Sequence, residues 1–399
     1  MLNSEDGAEL LRIYRDACAR LHAGDLTAGA VAAVPPGAAV LALGKVAHVQ
    51  MRSVLAARPD LRPLLSISTT SGPEAWALAG DHPVPGEASF TAGACLLDLA
   101  AAHDGQPLVL LLSGGGSALA AAPAPGIDPD EKIAVTKLLL TSGLDIQKMN
   151  TVRKRLSALK GGGLARAAPH SEWWVFAMSD VVGDDLGTIA SGPCSPERGH
   201  PRAAERICRE AGLWNRLPYR VQRRLAEPPD PPFDEQRIHA EVLAGARTLA
   251  RIAEAESPWP ATVLAPVTDS VEALASRYAA WTRDRIGLGP ALLIATGEPT
   301  LRVTGTGRGG RCQHLALLMA AELRGLDACF LAAGTDGRDG DTLHAGAIVD
   351  GGTAELAGLD LAEAIAGFDS APLHAALETA IPAWQPCTHL GELHLLLVR

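Results

Sequence analysis

Several ordinary signatures are missing from this sequence. No apolar run approaches the roughly 18 residues that a membrane span needs. The seven cysteines, at positions 18, 95, 194, 208, 312, 329 and 387, include no CxxC pair. That leaves no cysteine metal framework and suits reduced thiols in a cytosolic protein. Positive charge is in deficit: 35 Lys and Arg face 45 Asp and Glu, a net charge of −10. This argues against a nucleic-acid backbone as the main partner. The G-x-x-x-x-G-K-[ST] loop of P-loop NTPases is absent, as is the G-x-S-x-G elbow of one hydrolase design. No internal repeat or long low-complexity segment stands out. The first residues, MLNSEDGAELLRIYRDACARL, are acidic where a signal peptide is basic, and Leu10, Leu11, Tyr14, Cys18 and Leu21 mark one face of an amphipathic helix. The expectation is a cytoplasmic protein with small-molecule substrates and neither membrane nor nucleic-acid partners.

What is present is an α/β pattern long enough for roughly two domains. The stretch that organises it is LVLLLSGGGSAL, Leu108 to Leu119. Five aliphatic residues make a run too short for a helix and typical of a buried parallel strand. Gly114, Gly115 and Gly116 follow, flanked by Ser113 and Ser117. Such a turn can bring backbone N–H groups close to an anion at the carboxyl end of a strand. Further strands are expected at Ala38–Leu43, Leu64–Ser68, Trp173–Met178, Ala291–Ala295, Cys329–Ala333 and Leu395–Val398. Lys45 follows the first of these directly, where a lysine can hold a phosphate or carboxylate. The loop DHPVPGEAS carries His82 and enters a helix with Ser89 as its cap.

The most basic part of the chain is TSGLDIQKMNTVRKRLSALKGGGLA. A helix capped by Asn150 or Thr151 would place Arg153 and Lys160 on one side, an anion-binding wall or a solvated face. Two strand ends are acidic. Asp180, Asp184 and Asp185 follow Trp173–Met178, and Asp336, Asp339 and Asp341 follow Cys329–Ala333. Paired carboxylates there suit Mg²⁺ or a base taking a proton from a hydroxyl. The second cluster is not an EF-hand, because its aspartates fall at positions 1, 4 and 6 and Ala347 stands where a glutamate is needed. HLGELH is not the HExxH zinc pattern. Glu298 ends the Ala291–Ala295 strand segment in TGEPT, which with LRVT reads as a hairpin. Gly305, Gly307 and Gly310 then fit the dinucleotide fingerprint, although Arg308 and Arg311 suit a phosphate chain better. The proline-rich segment 226–237 reads as a stiff linker. The expected domains are 1–230 and 231–399.

Taken together, ALGKVA, HPVP, LLSGGGSAL, N-x-VRK-x-LSALKGG, SDVVGDD, IASGP, TGEPT, GRGGR and AAGTDGRDGDT-x-x-AGAIVD resemble the glycerate 2-kinase family, whose C-terminal part is the MOFRL domain. The resemblance covers roughly residues 40–350. It implies an N-terminal Rossmann-like parallel sheet with helices on both faces, a C-terminal α/β MOFRL-type domain and an active site in the cleft between them. It also implies transfer of the γ-phosphoryl group of ATP, with Mg²⁺, to the 2-hydroxyl of D-glycerate. Under it, Lys45, Asp180, Asp184 and Arg308 are the catalytic candidates. Ser113, Gly114, Gly115, Gly116, Ser117, Asn150, Arg153, Lys160 and Arg311 would hold substrate or phosphate, and Glu298, Asp336 and Asp339 would hold the metal. A homodimer is a further expectation. The alternatives are an NAD(P)-dependent hydroxypyruvate reductase, a label relatives have carried, and a non-catalytic binding protein. This chain departs from the family in GGRCQH for GGRNQE, in PCTHLGE for a TGTNVND-like segment and in IASGPC for IASGPT.

Overall fold

The structure is a computed structural model that describes residues 4–200 and 202–399. The chain forms two compact units, one of residues 23–178 and 184–243, the other of residues 1–22, 179–183 and 244–399.

The first unit is built on a six-stranded sheet of β1 (Ala39–Leu43), β2 (Arg62–Ser68), β3 (Ala77–Ala79), β4 (Leu108–Leu112), β5 (Trp173–Met178) and β6 (Ile238–Ala244). Their order is β3-β2-β1-β4-β5-β6, and the pairs from β3 through β5 are parallel. Every residue of β1 and β4 is buried. Successive side chains point to opposite faces, and burial of both faces makes the strands read as unbroken aliphatic runs. Val40, Ala42, Val109 and Leu111 pack on one face against Met51 and Val54 of the helix Ala47–Ala57. Leu41, Leu43, Leu110 and Leu112 are equally buried and point the other way. Strand order reverses between β1 and β4, so their carboxyl ends flank the switch point at which open α/β sheets bind ligands.

The second unit holds β7 (Ala261–Val263), β8 (Ala291–Gly297), β9 (Ala328–Gly334), β10 (His344–Asp350), β11 (Ala380–Pro382) and β12 (Glu392–Val398), in the order β11-β10-β9-β12-β8-β7. Only β7 and β8 pair in parallel; β8/β12, β12/β9, β9/β10 and β10/β11 are antiparallel. The helices Val271–Arg285 and Arg311–Glu322 pack on the sheet through Leu274, Tyr278, Leu315 and Met319, against Phe330 and Leu396.

Several expectations need correction. The units are not the contiguous halves 1–230 and 231–399. The helix Glu5–Arg20 buries Leu10, Ile13, Tyr14, Ala17 and Cys18, and it belongs to the second unit. There the Tyr14 hydroxyl donates to the Gly334 carbonyl at 2.6 Å. The proline-rich segment does not divide the units either, since β6 beyond it joins the first sheet. In the basic stretch the helix runs Ile146–Arg155 with Asp145 as its cap. Asn150 and Thr151 therefore lie inside it, and Lys160 lies beyond its end. Ser89 is also inside a helix, Glu87–Ala102, which Gly86 caps. Residues 301–310 form no strand, so the hairpin from TGEPT is absent.

Candidate active site

In the first unit the chain leaves β1 through Gly44, whose φ is +139° and whose missing Cβ would lie 2.1 Å from Ser113 Oγ. Only glycine can make that approach. The Lys45 N–H donates to the Gly114 carbonyl at 3.0 Å and the Val46 N–H to Ser113 Oγ at 3.3 Å, locking the exits of β1 and β4 together. Ser113 is thus a buried brace between strand ends, a correction to its expected ligand-binding role. Gly115 has a φ of +83°, and a Cβ there would meet Lys45 Cγ at 3.1 Å and the His82 ring at 3.4 Å. Lys45 and His82 therefore flank the glycine turn.

Ser117 stands in the single helical turn Gly116–Leu119. Its Oγ lies 2.5 Å from Ser191 Oγ and accepts from Lys160 Nζ at 3.0 Å, and its carbonyl accepts from the same ammonium at 2.9 Å. Lys160 is buried, and burial holds its ammonium well below the ordinary lysine range, with Arg153, Lys132 and Lys154 adding to the effect. Arg153 donates to Asn150 Oδ1 at 3.2 Å, which joins two of the expected binding residues. Arg153 and Lys160 do come together, but through the turn after the helix rather than along one helix side. Lys132 is buried beside them, its ammonium donating to the Leu156 carbonyl at 2.8 Å.

The loop after β5 returns to this unit at Asp184. Asp184, Ala190 and Ser191 have φ of 55°, 49° and 61°, a left-handed conformation that costs non-glycine residues energy and concentrates at functional sites. Asp184 Oδ1 is buried without a hydrogen-bond partner.

The second unit gathers a different set. His389 lies between two carboxylates, its Nδ1 3.4 Å from Asp180 Oδ2 and its Nε2 3.8 Å from Asp336 Oδ2. Arg308 has an exposed side chain, and its backbone N–H donates to Asp369 Oδ1 at 2.7 Å. Arg311 is spanned by two acids, Glu298 at 3.1 Å and Glu392 at 2.9 Å. It is a tie between the TGEPT loop and β12, not the open phosphate cation expected. Asp339 is likewise committed. Its carboxylate accepts from the Cys312 and Gln313 N–H groups at 3.1 and 2.8 Å, closing the start of the helix Arg311–Glu322. Burial and the neighbouring Glu392 push its carboxyl up to about 7, against the N–H groups that favour the anion.

Glu298, Asp336 and Asp339 therefore do not fit as one Mg²⁺ site. The first is paired with Arg311, and both oxygens of the third are taken by backbone donors. Among the described residues, the group whose ligating atoms come within 4.8 Å is instead Cys312, Glu392 and His394. It is already knitted into the core: Glu392 bonds Arg311, and His394 Nδ1 lies 3.0 Å from the Tyr278 hydroxyl.

Comparison with known proteins supplies the frame. Residues 13–226 match the family model described as a domain of unknown function, DUF4147, and residues 291–390 match the MOFRL family. A human glycerate kinase is 35% identical over 354 residues, covering 73% of this chain and 67% of that one. A D-glycerate 2-kinase of Thermotoga maritima is 35% identical over 287 residues, covering 69% and 67%. The chain belongs to the glycerate kinase family. The crystal structure of a Thermotoga maritima glycerate kinase superposes with a TM-score of 0.89 at 26% identity, over 99% of this chain and 100% of that one. A Pyrococcus horikoshii structure gives 0.78 at 25% identity, over 100% and 99%.

Within this glycerate kinase frame, two residues escaped the site reading of the sequence. His389 belongs in the sequence only to the PCTHLGE departure, yet it lies between Asp180 and Asp336. Lys132 sits in PDEKIAVTKLLL, where no motif marks it. The available signal was its spacing: Lys132, Val135 and Leu139 lie at i, i+3 and i+7, so the lysine occupies the apolar stripe. His314, another departure, stacks on Phe368 with ring centroids 4.9 Å apart. The fingerprint glycines also find a plain explanation. A Cβ on Gly307 would lie 2.6 Å from Asp369 Cα, and one on Gly310 would lie 2.2 Å from Asp339 Cγ. They serve close packing within the unit.

Proposed function

We propose that this chain transfers the γ-phosphoryl group of ATP to the 2-hydroxyl of D-glycerate. Phosphoryl transfer asks a protein for positioning and charge neutralisation more than for covalent chemistry. The observation that carries the reading is the set of cations at the switch point of the first sheet: Lys45 against Gly115, with Lys160 on Ser117. Lys45 and the turn Gly114–Ser117 suit an anionic phosphate or carboxylate, Arg308 is an exposed cation for phosphate charge, and Arg153 with Asn150 extends the cationic wall. Asp180, with His389 Nδ1 3.4 Å away, is the carboxylate assigned to accept the hydroxyl proton. When bound, Mg²⁺ would supply positive charge that offsets that of the phosphates. Asp184, with a buried carboxylate oxygen lacking a protein partner, fits a hard cation better than the trio around Asp339 does.

The reductase alternative loses its local support. A dinucleotide fingerprint needs open N–H groups at a helix start, and Asp339 occupies those of Cys312 and Gln313. The deciding experiment incubates the protein with ATP, Mg²⁺ and D-glycerate, follows ADP release and identifies the phosphorylated position by NMR. Formation of 2-phosphoglycerate is expected; NADH oxidation with hydroxypyruvate in its place would reverse the assignment. Asp180→Asn is expected to lower kcat by about 10²–10⁴-fold, the usual contribution of a positioned general base. Unchanged turnover would remove Asp180 as the base.

A further inference from the structure

Lys132, Arg153 and Lys160 converge with Ser117 on one small cavity of about 20 Å³, walled otherwise by Thr136 and by apolar side chains such as Val135 and Leu139. The electrostatics of this cavity are one-sided. The charges that act on Lys160 are Arg153, Lys132 and Lys154, and the charge that acts on Lys132 is Arg153; no carboxylate is among them. Packing like charges together out of water is costly unless an anion joins them. The cations also have donors to spare. An ammonium has three N–H groups and a guanidinium five. Lys160 spends two on Ser117, Lys132 spends two on the Leu156 and Ala122 carbonyls, and Arg153 spends one on Asn150. The volume bounds the ligand. One water needs about 10–15 Å³, so the cavity takes the end of a carboxylate and not a triphosphate.

We propose that this cavity is the carboxylate subsite for the hydroxy-acid acceptor, with Lys132 as its third cation. The proposal rests on the hydroxy-acid kinase reading above and assigns the acid end of the acceptor to one place. Lys132 touches the substrate carboxylate and sets specificity for acids over neutral alcohols.

The test is Lys132→Met, of similar length and without charge. The substitution relieves a buried charge but also takes a donor from the Leu156 carbonyl, so a melt checks that the variant folds. KM for D-glycerate should rise about 10–100-fold, the scale of one lost charge-assisted hydrogen bond, while KM for ATP stays put. A rise in KM for ATP alone would assign the cavity to phosphate and overturn the proposal. So would unchanged constants for both substrates. Calorimetric titration of D-glycerate, and separately of inorganic phosphate, into wild type and variant needs no turnover. If the protein phosphorylates no acid yet binds D-glycerate in a Lys132-dependent way, the kinase reading fails and the subsite stands. If wild type binds phosphate but not D-glycerate, the subsite assignment fails.

Discussion

Burial pushes the Lys132 ammonium down to about 7, and the Arg153 guanidinium adds to the effect. The groups facing it are Arg153 from the helix Ile146–Arg155, Lys160 from the turn beyond, and the hydroxyls of Ser117 and Thr136. A carboxylate binds the protonated ammonium. Raising the pH through about 7 discharges Lys132 in the free protein, so kcat/KM for D-glycerate should fall across that range. A pH profile from 6 to 9 on wild type and Lys132→Met checks this: the limb near 7 should vanish in the variant. Stability runs the other way, because the folded-state value lies below the unfolded one and the unfolded chain binds more protons between about 7 and 10. The contribution of Lys132 to stability should therefore rise with pH in that window. The sequence showed that a lysine was there but not that it was buried, since burial depends on what packs over the helix from elsewhere. Lys45 was more legible, because its position one glycine beyond a buried strand already places it at the mouth of the sheet.

At the scale of elements, strands were the most readable. β4 and β5 have the expected bounds, and β1, β8 and β9 differ by a residue or two. Short unbroken apolar runs bounded by turn residues read as buried strands, whether their neighbours are parallel, as for β4 and β5, or antiparallel, as for β9. Helix ends were less readable, as the basic stretch illustrates: Asp145 caps the helix five residues before Asn150 by accepting from the Lys148 N–H at 2.8 Å. Either residue is a good cap by type, and packing chose between them. Glycines mark the tightest joints. Gly44→Ala combines a left-handed φ with a clash on Ser113, so it should cost roughly 1–3 kcal/mol in chemical denaturation, the scale of overpacking. It should also lower kcat by displacing Lys45. Asp339→Asn would replace a carboxylate that receives the Cys312 and Gln313 N–H groups. A loss of about 1–2 kcal/mol is expected, as for a removed helix cap. A full-strength metal requirement traced to Asp339, with stability untouched, would restore it as a ligand.

For the whole molecule, the chain visits its second unit three times, through 1–22, 179–183 and 244–399. Tyr14 from the first visit bonds Gly334 and accepts from the Trp384 indole at 3.2 Å. A fragment of residues 244–399 alone lacks that helix and exposes the apolar surface it covers. It should fail to unfold cooperatively by circular dichroism, while the intact chain does so. None of the described helices is long and apolar enough to cross a membrane.

By itself the sequence determined the α/β class, the strands and the glycine turn at Ser113–Ser117, because period, run length and turn chemistry are local. The ordered motifs carried the family. Tertiary structure alone decided which charges are open and which are spent. Arg311 and Asp339 look like site residues in the sequence and are engaged by Glu298, Glu392 and two backbone N–H groups. Lys132 and His389 look incidental and face, respectively, two cations and two carboxylates. Charge and residue type are written in the sequence; burial, and the partner that neutralises or fails to neutralise a charge, come from contacts between segments far apart along the chain.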